Sequence, residues 1–146
     1  SELFETEHGK IGGLVCFDSI YETLTLSSVR DGANLMILST NDSWYRDSAA
    51  VYQHNGHAVL RAVESGRCFV RAANTGISSV ISAKGEIKTY LQPLVDGYVA
   101  ADVTFSTERT PYSCVGDLIV WLSFAFLAVT AVIEIAAKIK AIRRKN

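Results

Sequence analysis

Cys16 is the residue best placed for chemistry. It closes an apolar run, Ile11-Gly12-Gly13-Leu14-Val15-Cys16-Phe17, after which Asp18 or Ser19 offers an N-cap for a helix. Where a strand turns sharply into a helix, the side chain at the turn is exposed, and the backbone N–H groups nearby favour a thiolate and can cradle an oxyanion. That place suits a nucleophile, although a small buried hydrophobe in a core strand fits the same spacing equally well. Asn41-Asp42-Ser43-Trp44-Tyr45 follows a second strand-like run, where α/β folds keep their binding loops. A Trp in such a loop points to a ligand, a partner or a membrane surface. His54 and His57 lie three residues apart on an expected helix. A pair without a third ligand at sensible spacing makes no metal site, so no metal is assigned and no cofactor is called for. Arg61, Glu64, Arg67 and Arg71 read equally as a solvated charge face or as internal ion pairs.

Strands and helices must hold these residues in place. The run ending at Cys16 reads as a buried strand, followed by a helix to about Arg30 that Asp31-Gly32 stops. Asn34 to Thr40 is again apolar and of strand length. Ser48 to Ser65 carries Val51, His54, Ala58 and Ala62 at helical spacing, and Gly66 ends that helix. Cys68 to Ala73, Ile77 to Ser82, Ile87 to Leu91 and Tyr98 to Phe105 read as further strands, with Ala83-Lys84-Gly85-Glu86 as a tight hairpin turn. Two helices are few for the faces of such a sheet. The cysteines number three, at wide spacings, which argues against a disulfide framework, and Cys68 and Cys114 read as packing residues.

Charge divides the chain in two. All the acidic residues lie in 1–137, whereas Lys138, Lys140, Arg143, Arg144 and Lys145 crowd the last nine positions. Between them, Leu118 to Ile133 carries no charge, and with the residues up to Ala137 it is long enough as a helix to span a bilayer core. The pattern excludes a plain soluble domain, a disordered chain, a disulfide-framed miniprotein and a strongly basic nucleic-acid binder. A basic cluster directly after an apolar span belongs in the cytoplasm, which places the water-soluble part outside.

The stretch Gly12-Gly13-Leu14-Val15-Cys16-Phe17-Asp18-Ser19 resembles the nucleophile strand of the nitrilase (carbon-nitrogen hydrolase) superfamily. Four further blocks narrow the resemblance, over nearly the whole chain, to the apolipoprotein N-acyltransferase family. They are Asn41-Asp42-Ser43-Trp44-Tyr45, Gln53-His54, Arg71-Ala72-Ala73-Asn74-Thr75-Gly76-Ile77-Ser78, and Thr110-Pro111-Tyr112 with Gly116-Asp117. The resemblance implies an α/β fold, part of an α-β-β-α sandwich over residues 1–114, held on the outer side of the inner membrane. One transmembrane helix over 117–137 and a basic cytoplasmic tail over 138–146 would follow. It implies that Cys16 takes an acyl group from a phospholipid as a thioester and passes it to the diacylglyceryl-cysteine of an apolipoprotein. The membrane is then a partner as well, and nucleic acid is not.

By the same resemblance the backbone N–H of Phe17 is the oxyanion donor and Asp18 is a carboxylate beside the nucleophile. Asn41, Asp42, Trp44 and Tyr45 bind substrate at the mouth of the site. Asp18 stands where the family has Glu, and Arg46 where its loop commonly has Gly. The family's Glu base and its Lys come from strands well upstream of the nucleophile, and neither role is carried onto the residues before Cys16. The chain therefore reads as a C-terminal fragment. An inactive membrane-anchored remnant and a membrane-tethered amidase are the alternatives.

Overall fold

The computed structural model describes residues 3–143. It divides into two compact units, Ser1–Cys114 and Val115–Asn146. Apolar residues at alternate positions of Leu35–Asn41 account for the centre of the first unit. Met36, Leu38 and Thr40 face inward while Ile37, Ser39 and Asn41 face out, as the two-residue period of a strand requires. This strand, β3, lies in a six-stranded sheet with β1 (Leu3–Thr6), β2 (Gly9–Val15), β4 (Phe69–Asn74), β5 (Ser78–Ile81) and β6 (Ile87–Leu91), in that spatial order. β2, β3 and β4 are parallel, and the outer pairs are antiparallel.

Parallel neighbours need crossovers, and two helices supply them. After β2 come a 3-10 turn, Cys16–Ile20, and helix α1, Glu22–Arg30; β3 leads through a second 3-10 turn, Ser43–Tyr45, into α2, Ala49–Ser65. Gly66 stops α2 at φ +65, where a Cβ would also meet the Thr110 side chain at 2.9 Å. Leu14, Met36, Leu38, Phe69 and Ile81 of the sheet pack with Ala33 and with Ala58 and Ala62 of α2 into one buried core. Among the described residues of this unit the other sheet face has no such cover. Phe4, Ile11, Gly13, Val15, Ile37 and Ser39 line an open apolar groove there, with Val15 66% exposed. The strand ending at Val15 is thus buried on one face, not on both as its apolar run suggests.

Several expectations change. β1 pairs with β2 through a turn at Thr6–Gly9, although Ser1 to Lys10 reads as polar; only Leu3 and Phe4 mark it, as suits an edge strand. Tyr98 to Phe105 alternates like a strand but forms none. Its segment is held by isolated contacts instead: Lys88 Nζ donates to the Asp102 carbonyl, Ser106 N–H to that of Asn34, and Arg67 Nη1 to that of Glu108 at 2.6 Å. Cys68 is buried, but Cys114 is exposed and so is no packing residue.

A short helix, α3 (Pro111–Val115), precedes α4 of the second unit, Leu118–Arg143, whose 26 residues would reach roughly 40 Å. By length and composition it can cross a membrane. Ile119, Trp121, Phe124, Phe126 and Ile133 are all exposed, so the helix is apolar all round rather than on one stripe. It begins at Leu118 and runs on through Lys138, Lys140 and Arg143. Arg144, Lys145 and Asn146 lie outside the described residues, as does Glu2.

Candidate active site

The carboxyl ends of β2, β3 and β4 bring Cys16, the Asn41–Tyr45 loop and Asn74 to one end of the sheet, where open α/β folds place ligands. Cys16 follows Val15 directly and has φ +53. An L-residue with a Cβ disfavours that left-handed backbone, and it persists only where the surroundings impose it. The bend leaves Cys16 partly exposed. Asp18 helps to set it, since one carboxylate oxygen accepts the Val15 N–H at 2.9 Å. Its carboxylate is thus engaged in closing the turn.

Two side chains of α2 hold the carbonyls of this turn. His54 Nε2 is 3.2 Å from the Cys16 carbonyl oxygen, and Arg61 Nη1 donates to that of Ile20 at 3.0 Å. The two are seven residues apart, two helical turns, and both are buried. Ser19 Oγ also donates to the Cys16 carbonyl, at 3.1 Å, and lies 3.4 Å from His54 Nε2. The ring of Phe17 stacks on His54 with centroids 5.4 Å apart and 22° between planes, and Tyr45 closes edge-on to both.

Asp42 corrects its expected place at the surface. It is 1% exposed and continues the inward side of β3 beyond Leu38 and Thr40. One carboxylate oxygen accepts from Arg71 Nη2 at 2.7 Å; the other accepts from Thr40 Oγ1 at 3.0 Å and faces His54 Nδ1 at 2.8 Å. Burial alone would raise the Asp42 pKa, but hydrogen bonds from His54 and Arg71, the Arg71 charge and Thr40 outweigh it and hold the carboxyl at about 2. Asp42 is therefore a buried anion at neutral pH and does not face substrate. Gly76 fits against it so closely that a Cβ there would lie 2.1 Å from Asp42 Oδ2.

Of the other loop residues, Trp44 is 81% exposed and free to meet a ligand, and Tyr45 lies half-buried beside Phe17. Loss of water contact, then the charges of Asp42 and Cys16, push the Tyr45 phenol up, so it remains an O–H donor at neutral pH. Asn41 is exposed, but its side-chain oxygen accepts from Ser43 N–H and from Asn74 Nδ2, which stiffens the loop. Arg46 has φ 50 and ψ −143, a backbone suited to Gly, the residue that the family resemblance leads one to expect there. Two histidines three apart on a helix read as surface or core-edge side chains; His54 is instead buried. A core-facing Arg71, which demands a carboxylate, was the signal that could have drawn Asp42 and His54 together.

Residues 1–111 match the family model of the carbon-nitrogen hydrolases. The chain is 37% identical over 134 residues, 92% of its length, to the apolipoprotein N-acyltransferase of Geobacter metallireducens, of which it covers 26%. It is 36% identical over 80% of its length to apolipoprotein N-acyltransferase 1 of Treponema denticola, covering 22% of that protein. The chain thus spans about a quarter of the length of the curated relatives it matches. Among solved structures, an amidase from Nesterenkonia sp. aligns with a TM-score of 0.55 at 21% identity, over 63% of this chain and 37% of that one. A carbon-nitrogen hydrolase from Helicobacter pylori aligns with the same score at 17% identity, over 60% and 38%. These structural likenesses establish a shared fold.

Proposed function

The chain belongs to the carbon-nitrogen hydrolase family, and from that premise we propose that it forms the nucleophile-bearing C-terminal part of an apolipoprotein N-acyltransferase. The observation that carries this reading is Cys16 itself, a partly exposed thiol on a left-handed residue at the carboxyl end of a parallel strand. Exposed Trp44, in the loop at the same end of the sheet, and the apolar α4 suit a substrate drawn from a membrane. In one solved neighbour of the same fold, a mutant Nesterenkonia amidase, acrylamide has added to the active-site cysteine.

The chemistry runs in two halves. The Cys16 thiolate attacks the ester carbonyl of a phospholipid, and the C–S bond forms as the ester C–O bond breaks. A lysophospholipid leaves and takes up a proton. The tetrahedral oxyanion is held by the Phe17 N–H. The α-amino group of a diacylglyceryl-cysteine at an apolipoprotein's N-terminus then attacks the thioester; C–N forms, C–S breaks, and the thiol returns. A Glu that takes the thiol proton and a Lys that shares the oxyanion come from the part of the relatives' length that this chain does not cover. A second sheet layer from that same part covers the apolar groove along β2 and β3. α4 crosses the cytoplasmic membrane with Lys138, Lys140 and Arg143 on the inner side, and the first unit lies outside.

The test uses the protein that carries this chain, purified from membranes in detergent. It is supplied with a phospholipid bearing a labelled acyl chain and a synthetic peptide with an N-terminal diacylglyceryl-cysteine. Labelled amide should accumulate on the peptide, and Cys16→Ala should reduce it at least 1,000-fold, on the order expected for loss of a nucleophile. Transfer that survives Cys16→Ala overturns the nucleophile, and ammonia release from small amides without acyl transfer overturns the substrate class.

A further inference from the structure

The Cys16–Phe17 peptide unit is gripped from one side. Its carbonyl oxygen faces His54 Nε2 at 3.2 Å, and the ring of the residue that contributes its N–H stacks on the same imidazole. A trans peptide is planar with C=O and N–H pointing in opposite directions, so fixing the oxygen fixes where the hydrogen points. With the oxygen turned inward to a buried histidine, the Phe17 N–H is turned the other way. We propose that His54, anchored through Asp42 to Arg71, is a positioning residue that aims and polarises the Phe17 N–H as oxyanion donor. This inference rests on the reading of Cys16 as nucleophile and deepens it.

The anchor is well built for such a task. Asp42 and Arg71 are both 1% exposed, and Arg71 Nη1 also donates to the Ile77 carbonyl. Asp42 and the Cys16 carbonyl are both acceptors, and they face opposite nitrogens of one ring. Donation from Nε2 serves the Cys16 carbonyl, and the fixed Asp42 carboxylate sets the orientation of the ring through Nδ1. A donor on the carbonyl draws electron density from the amide and strengthens its N–H for the oxyanion, and the rigid anchor spares that N–H reorganisation during reaction.

Two near-isosteres separate the halves of the contact. Gln at 54 places an amide nitrogen where Nε2 stands and keeps the donor to Cys16. Asn places its amide where Nδ1 stands, so it can meet Asp42 but cannot reach Cys16. Two rates are measured in each variant of the purified protein: acylation of Cys16 by labelled phospholipid, and alkylation of Cys16 by iodoacetamide, read from the mass of its peptide. Alkylation forms no oxyanion and reports only a folded, accessible thiol. His54→Asn should slow acylation roughly 30-fold, less than the roughly 100- to 1,000-fold for outright loss of an oxyanion donor because the N–H is misaimed and not removed. KM for lipid and the alkylation rate should stay within a factor of about 3. His54→Gln should restore acylation to within about fivefold of the parent. Equal acylation in His54→Asn and the parent overturns the inference, as does a matched loss of acylation and alkylation or a failure of Gln to restore the rate. Acylation persisting in Cys16→Ala would instead remove the nucleophile reading on which the inference stands.

Discussion

Replacing Asp42 by Asn keeps the shape of the side chain and removes the charge that Arg71 and His54 share. Both partners of the Asp42–Arg71 pair have fully buried side chains, with nitrogen and oxygen 2.7 Å apart. Breaking such a pair from one side leaves an uncompensated buried charge and costs about 3 kcal/mol or more. The titration of Asp42 gives an independent figure. Its carboxyl is held at about 2 against an ordinary 3.8, and at about 1.4 kcal/mol per unit this contributes about 2 kcal/mol to stability at neutral pH. Because the folded pKa is the lower one, that contribution is complete above the ordinary value and is lost as the pH falls toward 2. Cys68, buried in the core, is a suitable reporter, since a thiol reagent labels it only when the first unit opens. In the purified protein, Asp42→Asn should bring the urea midpoint for Cys68 labelling down by at least about 1 M at pH 7. The gap between parent and variant should narrow by about 1 kcal/mol between pH 5 and pH 3. A gap under 1 kcal/mol at pH 7, or one that does not change with pH, would refute the reasoning.

Gly76→Ala drives a Cβ to within 2.1 Å of a carboxylate that Arg71 and His54 prevent from retreating, so it should destabilise the first unit by about 2 kcal/mol in the same labelling assay. Gly56→Ala, inside α2 with nothing within 4 Å of the added Cβ, should instead stabilise it by about 0.5 to 1 kcal/mol. Arg46→Gly should relieve the backbone at φ 50 and ψ −143 and raise the thermal midpoint without lowering acyl transfer. Trp44→Ala removes a side chain that is 81% exposed; stability should stay within about 0.5 kcal/mol, while KM for lipid rises several-fold.

The local signals that the sequence carries strongly come from glycines at positions whose backbone other residues disfavour. Gly66 and Gly85, both at positive φ, end α2 and turn the β5–β6 hairpin where they were expected. The turn at Cys16 was legible because an apolar run and an N-cap residue meet there. Tyr98 to Phe105 was misleading because alternation records a half-buried extended chain, and this segment is tied down by scattered contacts without a ladder. β1 was missed because its partner strand, not its own polar composition, makes it a strand. Asp42 was read with its exposed neighbour Trp44, yet it follows Leu38 and Thr40 on the inward parity of β3. Its charged partner Arg71 and the ring of His54 are 29 and 12 residues away, too far for local spacing to join them.

The central claim is that Cys16 carries the acyl group. The most direct measurement is the mass of the Cys16 peptide after brief exposure of the purified protein to phospholipid, without acceptor, followed by quenching in acid. The peptide should gain one fatty acyl chain, lose it in neutral hydroxylamine as a thioester does, and gain nothing in Cys16→Ala. An acyl chain on any other residue, or an unmodified Cys16 peptide in protein that still transfers acyl groups when acceptor is added, would contradict the account.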